Sequence, residues 1–209
     1  VAYAVAQELG FTPAEVAWTV ASFNSVIKPG PKDFDFDVNQ VSISPERAES
    51  IDFSTGYYDV AQALVTIKGT KIERASSIAD LKAAKLGAQV GTTSYQTIVD
   101  VILPDSPPAV YDKNDDAKLA LANGQIDGLV VDLPTGLYLT AAELDDGVLV
   151  GQFANSATGD QEQFGLVLDK GSPLTACVSA AVDSLRQKGT LRELEQTWLT
   201  DAAGVPVLE

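Results

Sequence analysis

The strongest concentration of polar chemistry lies at residues 41–58, VSISPERAESIDFSTGYY. Ser44 is typical of a helix N-cap and Pro45 of a first helical position, which places Arg47 in the first turn of a predicted helix. The N–H groups at a helix start already carry roughly half a positive charge, so this cation adds to a positive potential. In a chain with a formal net charge of −15, that combination suits a negatively charged ligand group.

Polar residues also follow two other predicted strands, 86–91 and 126–132. The turn Gly91–Ser94 follows the first strand, and Asp132 ends the second. A third polar cluster leads into the predicted helix and consists of Asn39, Gln40, Ser42 and Ser44. Ligands of open parallel sheets bind outside the carboxyl ends of the strands, so we expect these clusters to converge.

The residue types in these clusters predict the kind of ligand. Arginine grips a carboxylate with two hydrogen bonds, and hydroxyls and helix N-terminal amides add further donors. A carboxylate such as Asp132 suits an ammonium group. A ligand that carries both groups is an α-amino acid, which Arg47 and Asp132 would bind together.

Each cluster also has a purely structural interpretation. Residues 92–94 have the composition of a helix cap, and Asp132 before a predicted helix is itself a good N-cap. Arg47 could pair at the surface with a local acid such as Asp52. Phe23 fits a core position and the wall of a ligand pocket equally well, and the aromatic side chains of GYY are expected to pack in the core.

Composition narrows the function classes. The chain has 209 residues, 45% of them hydrophobic, which is enough for a well-buried core. Its 14 basic against 29 acidic side chains argue against a nucleic-acid or anionic-membrane partner. The sequence contains no histidine, which excludes Ser-His-Asp and Cys-His catalysis and the usual catalytic zinc sites. Cys177 is the single cysteine, so a disulfide within the chain is impossible, and its helical context predicts a buried small residue.

Predicted helices and strands alternate along almost the whole chain, which is typical of parallel α/β layers. The predicted strands are 15–20, 34–41, 62–69, 86–91, 126–132, 148–153 and 163–170. The predicted helices are 1–9, a short one from Ser22, one capped by Ser44, 78–84, 94–103, 115–124, 134–144 and two near the C-terminus.

Four stretches of the sequence carry a resemblance to a known family. They are FDFDVNQVSISPERAESIDFSTGYYDVAQALV, LGAQVGTTSYQTI, ANGQIDGLVVDLPTG and EQFGLVLDKGSPL, in this order. They resemble the polar amino-acid-binding proteins of ABC importers, the family 3 extracellular solute-binding proteins. The likeness covers nearly the whole chain, and its S-x-[ST]-P-x-R-x-x-x-[VI]-x-F-[ST] block is fairly specific.

The resemblance implies an α/β fold of the two-lobed, type II periplasmic-binding-protein-like class. Each lobe would have a parallel sheet flanked by helices. Two extended crossover strands, near 62–68 and 162–168, would act as hinges. One lobe would be residues 1–64 with 167–209, and the other would be residues 65–166.

The same resemblance implies a role for each residue of the site. Arg47 would grip the α-carboxylate of the ligand. Ser42 and Thr93 would add hydroxyl and amide donors, with Thr92 as a neighbour. Gln40 would contribute its main chain or its side chain.

Two further residues complete the implied ligand contacts, since Asp132 would take the α-amino group and Phe23 would lie against the ligand side chain. The sequence departs from the family at Val1, where it starts in a helix and lacks the family's first strand. A sheet without that strand exposes an unpaired edge, which favours a domain-swapped dimer. The identity of the preferred amino acid is not indicated, because the loop after that strand normally helps to form the selectivity pocket.

The resemblance implies an extracytoplasmic binding protein, in the periplasm or secreted as a lipoprotein at the outer face of the cell membrane. It would close around an amino acid by hinge motion and deliver it to an ABC transporter permease, without catalysis, cofactor or metal. Two alternatives stay open. A sensor domain of a membrane receptor or kinase would continue past Glu209 into a membrane span, although the ending TWLTDAAGVPVLE favours the transporter. An enzyme like the arogenate or prephenate dehydratases would need a general acid, for which Glu162 is the best candidate.

Overall fold

The computed structural model describes residues 1–154, 161–199 and 204–209. The chain divides into two compact units. The first unit combines residues 1–59 and 162–200, and the second combines residues 60–161 and 201–209.

The regular elements are numbered in chain order. The α-helices are α1 (Ala2–Glu8), α2 (Phe23–Ile27), α3 (Pro45–Ala48), α4 (Thr93–Gln96), α5 (Asn114–Ala122), α6 (Leu133–Tyr138), α7 (Thr175–Gln187) and α8 (Thr190–Trp198). The strands are β1 (Asp37–Ser42), β2 (Ile51–Phe53), β3 (Tyr58–Asp59), β4 (Gln62–Ile67), β5 (Leu86–Gln89), β6 (Ala109–Tyr111), β7 (Gly128–Asp132), β8 (Gly147–Phe153), β9 (Gln163–Asp169) and β10 (Val207–Leu208). Short 3-10 helices occupy Pro13–Glu15 and Ile78–Leu81, and π-helical turns at Thr97–Ile102 and Leu139–Glu143 extend α4 and α6.

In the first unit, β9 pairs with β1 on one side and with β2 and β3 as further partners. Alternate residues of β9 reach opposite faces of this sheet. Leu166 and Leu168 pack in a cluster with Val5 of α1, whereas Val167 packs in another cluster with Val41. Both faces are therefore covered. The described strands of this unit pair antiparallel, so the parallel pairing expected from the sequence is found in the second unit.

The predicted strand at 15–20 is wrong. Within the described residues this segment pairs with no strand, and the side chains of Trp18 and Val20 are 65% and 101% exposed. The Trp18 indole N–H donates to the Tyr3 hydroxyl at 2.9 Å, and the two rings meet edge to face. Alternating apolar residues give a strand only where a neighbouring strand supplies hydrogen bonds, and that neighbour is a non-local requirement.

The prediction for Cys177 is also wrong, because its side chain is exposed on α7. The buried residues of this helix are Val178, Ala181, Val182 and Leu185. Position 177 therefore lies just outside the apolar stripe. The aromatic pair of GYY packs as expected, since the Tyr58 ring stacks on Phe164 at 5.7 Å between centroids.

In the second unit the strand order is β10-β8-β4-β7-β5-β6. Strand β5 pairs parallel with β6 and β7, and β10 pairs parallel with β8. Strand β4 is antiparallel to both of its neighbours, β7 and β8. Leu64 and Val130 belong to one apolar cluster and Val65 and Leu129 to another, so both faces of this sheet are buried.

The C-terminal residues 204–209 belong to the second unit, although the resemblance placed them with the first lobe. Strand β10 pairs with β8, where Val207 lies opposite Gln152. The Gln152 N–H donates to the Pro206 carbonyl at 2.8 Å. This pairing extends the sheet of the second unit at its edge.

Candidate functional site

Arg47 lies on the short helix α3 of the first unit, and the local structure agrees with the prediction. Ser44 is the N-cap, and its hydroxyl accepts a hydrogen bond from the Arg47 N–H at 3.3 Å. The guanidinium turns back to β1, where Nη1 donates to the Ser42 carbonyl at 2.7 Å. Because Ser42 is only 2% exposed, the arginine is anchored on a buried strand end.

Phe23, the first residue of α2, lies against Arg47. The guanidinium carbon is 5.4 Å from the centroid of the Phe23 ring, which is within the range of a cation–π contact. The same ring packs against the apolar cluster that contains Val26. Phe23 is therefore partly a core residue and also a platform for the arginine. Asp52, the acid that the sequence offered to Arg47, forms an ion pair with Lys170 at 3.2 Å.

The end of β1 carries an unusual backbone. Gln40 has a left-handed conformation with φ of 53°, which is uncommon for a residue other than glycine. The pairing of β1 with β9 shifts register between Asp37 and Val41, as at a β-bulge. The Asp37 carboxylate accepts a hydrogen bond from the Asn39 N–H at 2.9 Å, but burial dominates and raises the pKa of this carboxyl to about 6. A strained backbone beside polar side chains marks this strand end as a candidate site.

In the second unit, three strand ends lie at the same edge of the sheet. Strands β5 and β7 run parallel, so their carboxyl ends share this edge. Strand β4 runs antiparallel to β7 and starts there, with Gln62 directly opposite Asp132. The turn Gly91–Ser94 and Asp132 therefore come together, as predicted from the strand ends.

Gln62 joins these groups in a hydrogen-bonded network, which we call the Gln62 cluster: Gln62, Thr93, Ser94 and Asp132. Its Nε2 donates to Asp132 Oδ1 at 2.6 Å and to Thr93 Oγ1 at 3.2 Å. Its Oε1 accepts from the Ser94 hydroxyl at 2.7 Å. Gln62 and Ser94 are buried, whereas Thr93 and Asp132 are half-buried. The cluster thus has two members that are buried, Gln62 and Ser94, and two that solvent can reach, Thr93 and Asp132.

Helix capping explains Thr92 but not Asp132. Thr92 is the N-cap of α4, and its hydroxyl accepts from the Tyr95 N–H at 3.2 Å and donates to the Gln89 carbonyl at 2.7 Å. Asp132 occupies the N-cap position of α6. Among the contacts of the described residues, however, its carboxylate makes no capping bond and accepts from Gln62.

Sequence reasoning missed Gln62. The residue stands at the head of the run QALVTI, which forms a strand that is buried almost throughout. A polar side chain in such a strand needs hydrogen-bond partners. A single glutamine at the start of an apolar run is therefore the sequence pattern from which a buried polar contact at Gln62 could have been predicted.

Within the ranges that the structure describes, no group of three or more His, Cys, Asp or Glu side chains is arranged to hold a metal ion. Across those same residues, no helix is both long enough and apolar enough to cross a membrane.

A comparison with protein families matches residues 1–201 to the bacterial extracellular solute-binding proteins, family 3. The chain belongs to this family. Membership in family 3 confirms the resemblance found in the sequence, on a match that covers nearly the whole chain.

Two relatives in family 3 show the level of similarity. The ABC transporter glutamine-binding protein GlnH of Bacillus subtilis (strain 168) is 29% identical over 170 residues, which are 81% of this chain and 59% of that protein. The L-cystine-binding protein TcyJ of Escherichia coli (strain K12) is 32% identical over 177 residues, which are 80% of this chain and 60% of that protein. This family 3 chain thus spans less than two thirds of the length of either relative.

A solved structure confirms the predicted fold class of this family 3 chain. An ancestral arginine-binding protein bound to arginine matches it with a TM-score of 0.74 at 28% identity. The match covers 94% of this chain and 84% of that protein.

Proposed function

We propose that this chain is the substrate-binding part of an amino-acid ABC importer and that it binds one α-amino acid without catalysing a reaction. The observation that carries the proposal is the burial and hydrogen bonding of the Asp132 carboxylate. Its carboxylate is half-buried at a strand end and is held by a buried amide, although it stands at a helix N-cap position. A carboxylate fixed in this way suits the α-ammonium group of a ligand.

Arg47 is assigned to the α-carboxylate of the same amino acid. A guanidinium has five N–H donors in a planar fork, so its bond to the Ser42 carbonyl is compatible with a bidentate contact to a carboxylate. The Phe23 ring and the buried strand end hold the fork in one place. A group that is ordered before binding loses less entropy when the ligand arrives.

Five other residues are assigned to the surroundings of the ligand. Thr93 and Ser42 would donate through hydroxyl or amide groups, and Gln40 would present polar groups from its left-handed turn. Thr92 would act as the cap that shapes the turn beside Thr93. Phe23 would contact the ligand side chain with the part of its ring that is exposed.

The ligand class and the partner are further parts of the proposal. The relatives quoted above are named for glutamine and cystine, and the solved relative holds arginine, so we expect a polar L-amino acid. The partner would be the membrane permease of an ABC transporter. The place of action would be outside the cytoplasm, in the periplasm or at a lipid anchor on the outer face of the membrane.

A thermal-shift screen against the twenty L-amino acids tests the proposal. A ligand present at about 100 times its dissociation constant adds about 2.7 kcal/mol to the unfolding free energy, which raises Tm by several degrees. We expect one or a few polar amino acids to give this shift and the Arg47→Ala variant to give a clearly smaller one at the same ligand concentration.

The contrary result is a folded protein whose Tm responds to none of the twenty compounds. Prephenate serves as the matched test of the enzymatic alternative. We expect the protein to produce no ultraviolet-absorbing product from prephenate, and steady turnover would contradict the binding role.

A further inference from the structure

Gln62 is the buried centre of a polar network that includes two residues assigned to the ligand, Asp132 and Thr93. We propose that Gln62 is a positioning residue, which sets the orientation of the Asp132 carboxylate and the Thr93 hydroxyl for the ligand. This inference rests on the proposed function and goes beyond it, because Gln62 itself need not touch the ligand.

The place of Gln62 in the fold makes it suited to this role. It is the first residue of β4 and lies directly opposite Asp132 in the antiparallel pairing with β7. Directly opposed side chains on one sheet face are within about 5 Å of each other at Cβ, so contact is built into the register. The side chain is 3% exposed, and the strand beyond it is anchored by Leu64 and Val65 in the two apolar clusters. Gln62 therefore holds a fixed position in the second unit.

The direction of the Gln62 amide follows from the chemistry of its partners. An ionised carboxylate can only accept hydrogen bonds, so the amide atom that faces Asp132 must be the nitrogen. The amide oxygen must then face Ser94, whose hydroxyl donates to it. The second hydrogen on the nitrogen reaches the Thr93 oxygen, which accepts. One buried amide thus determines the roles of three neighbours.

This arrangement affects how the ligand groups are recognised. The bond of 2.6 Å holds Asp132 Oδ1 toward β4 and away from the amides of α6, which an aspartate at that position would otherwise cap. The bond of 3.2 Å to Thr93 Oγ1 fixes the position of that hydroxyl oxygen in the same way. Gln62 therefore holds the Asp132 carboxylate and the Thr93 hydroxyl in a fixed relation, and its buried amide makes hydrogen bonds through both its nitrogen and its oxygen.

The first test needs no ligand. In NMR spectra of the side-chain amides, the hydrogens of the Gln62 NH2 group should exchange slowly with those of water, because the group is buried and donates to two oxygens. Replacing Asp132 with Asn should move the Gln62 amide resonances, whereas the buried control Gln89, whose Oε1 accepts from the Asn114 N–H, should be unaffected. Gln62 resonances that do not respond to Asp132→Asn would overturn the proposal.

The second test measures binding by calorimetry, with L-glutamine and L-arginine as probes. Gln62→Leu should weaken binding of either amino acid that the wild type binds by about 10-fold or more, the usual range for loss of a hydrogen bond to a charged group. Gln89→Leu is the matched control, because it removes another buried glutamine from strand β5 of the same sheet and should change affinity by less than about 2-fold.

A third comparison distinguishes a positioning role of Gln62 from a general structural role in the binding site. Glutaramic acid and 5-guanidinovaleric acid are L-glutamine and L-arginine without the α-amino group. If Gln62 orients the group that recognises the ammonium, Gln62→Leu should lower the preference for the amino acid over its des-amino analogue. If Gln62→Leu weakened the binding of the amino acid and of its des-amino analogue by the same factor, the role of Gln62 would be structural and the proposal would be overturned.

Failure of the proposed function would look different. If the wild type bound none of the twenty amino acids, the importer role would fall, and the positioning of Asp132 by Gln62 would be decided by the ligand-free spectra alone.

Discussion

Arg47 is held by two contacts that belong to the first unit itself, the Ser42 carbonyl and the face of the Phe23 ring. Long basic side chains normally sample many rotamers, and ordering one of them upon binding costs free energy. A guanidinium that is already ordered gives more of its hydrogen-bond energy to affinity. The contribution of this residue to binding should therefore be large for a single side chain.

We predict that Arg47→Ala weakens amino-acid binding by roughly 10- to 150-fold, since a hydrogen bond to a charged group is worth about 1.5–3 kcal/mol. Calorimetric titration with the amino acid identified in the screen is the measurement. Arg192→Ala, which removes an exposed arginine from α8, is the matched control and should bind like the wild type. An unchanged affinity for Arg47→Ala would remove this residue from the site.

Asp37 gives a pH-dependent contribution to stability. Burial raises the pKa of this carboxyl from 3.8 to about 6, so the folded protein holds the proton more tightly than the unfolded chain does. The contribution is fully present below pH 4 and is lost as pH rises through about 6. Because the side chain is partly exposed, we discount the full linkage value and expect a change of about 1–2 kcal/mol.

The measurement for Asp37 is urea unfolding of the wild type and of Asp37→Asn at several pH values between 4 and 7. The difference in unfolding free energy between the two proteins should change in favour of the wild type as the pH falls. This difference isolates Asp37 from the other acids of the chain, whose protonation affects both proteins equally. A difference that does not vary with pH would contradict the assignment.

The element that differs most from its prediction is the segment 15–20. Val16, Trp18 and Val20 alternate as in a strand, yet Val20 is 101% exposed and Trp18 packs on Tyr3. By contrast, Val41 of β1 is fully buried between β9 and α2. A valine should therefore contribute very differently to the stability of the fold at positions 20 and 41, although the two segments have similar apolar patterns.

We predict that Val41→Ala lowers the unfolding free energy by about 2 kcal/mol, because it removes two buried methyl groups and leaves a cavity. The identical change at the exposed position, Val20→Ala, should stay within about 0.5 kcal/mol of the wild type. Urea unfolding of both variants is the measurement. Equal effects would show that residues 15–20 are packed against something in solution.

The sequence predicts those elements whose signals are local. Ser44 and Pro45 start α3 because the cap and the first turn are set within four residues, and Gly91 allows the turn before α4 because its φ is 70°. The network of Gln62 is not local, since its partners Thr93 and Asp132 are 31 and 70 positions away. Strand-end reasoning brought those two regions together but could not indicate which residue joins them.

At the scale of the whole molecule, one ligand is assigned to residues from both units. Arg47 lies in the first unit and Asp132 in the second, and the chain passes between the units after residues 59, 161 and 200. Binding should therefore depend on two opposite charges that are far apart in sequence. Arg47 should interact with the carboxylate of the ligand, and Asp132 should interact with its ammonium group. A substitution at either residue should affect only the corresponding contact.

The most direct measurement is a calorimetric comparison of three proteins with three compounds. The proteins are the wild type, Arg47→Ala and Asp132→Asn. The compounds are the amino acid with the largest thermal shift, its decarboxylated amine and its des-amino acid. We predict a crossed pattern, in which Arg47→Ala lowers the preference for the amino acid over the amine and Asp132→Asn lowers its preference over the des-amino acid. Equal weakening of all three compounds by both substitutions would contradict the recognition of a single amino acid by these two residues.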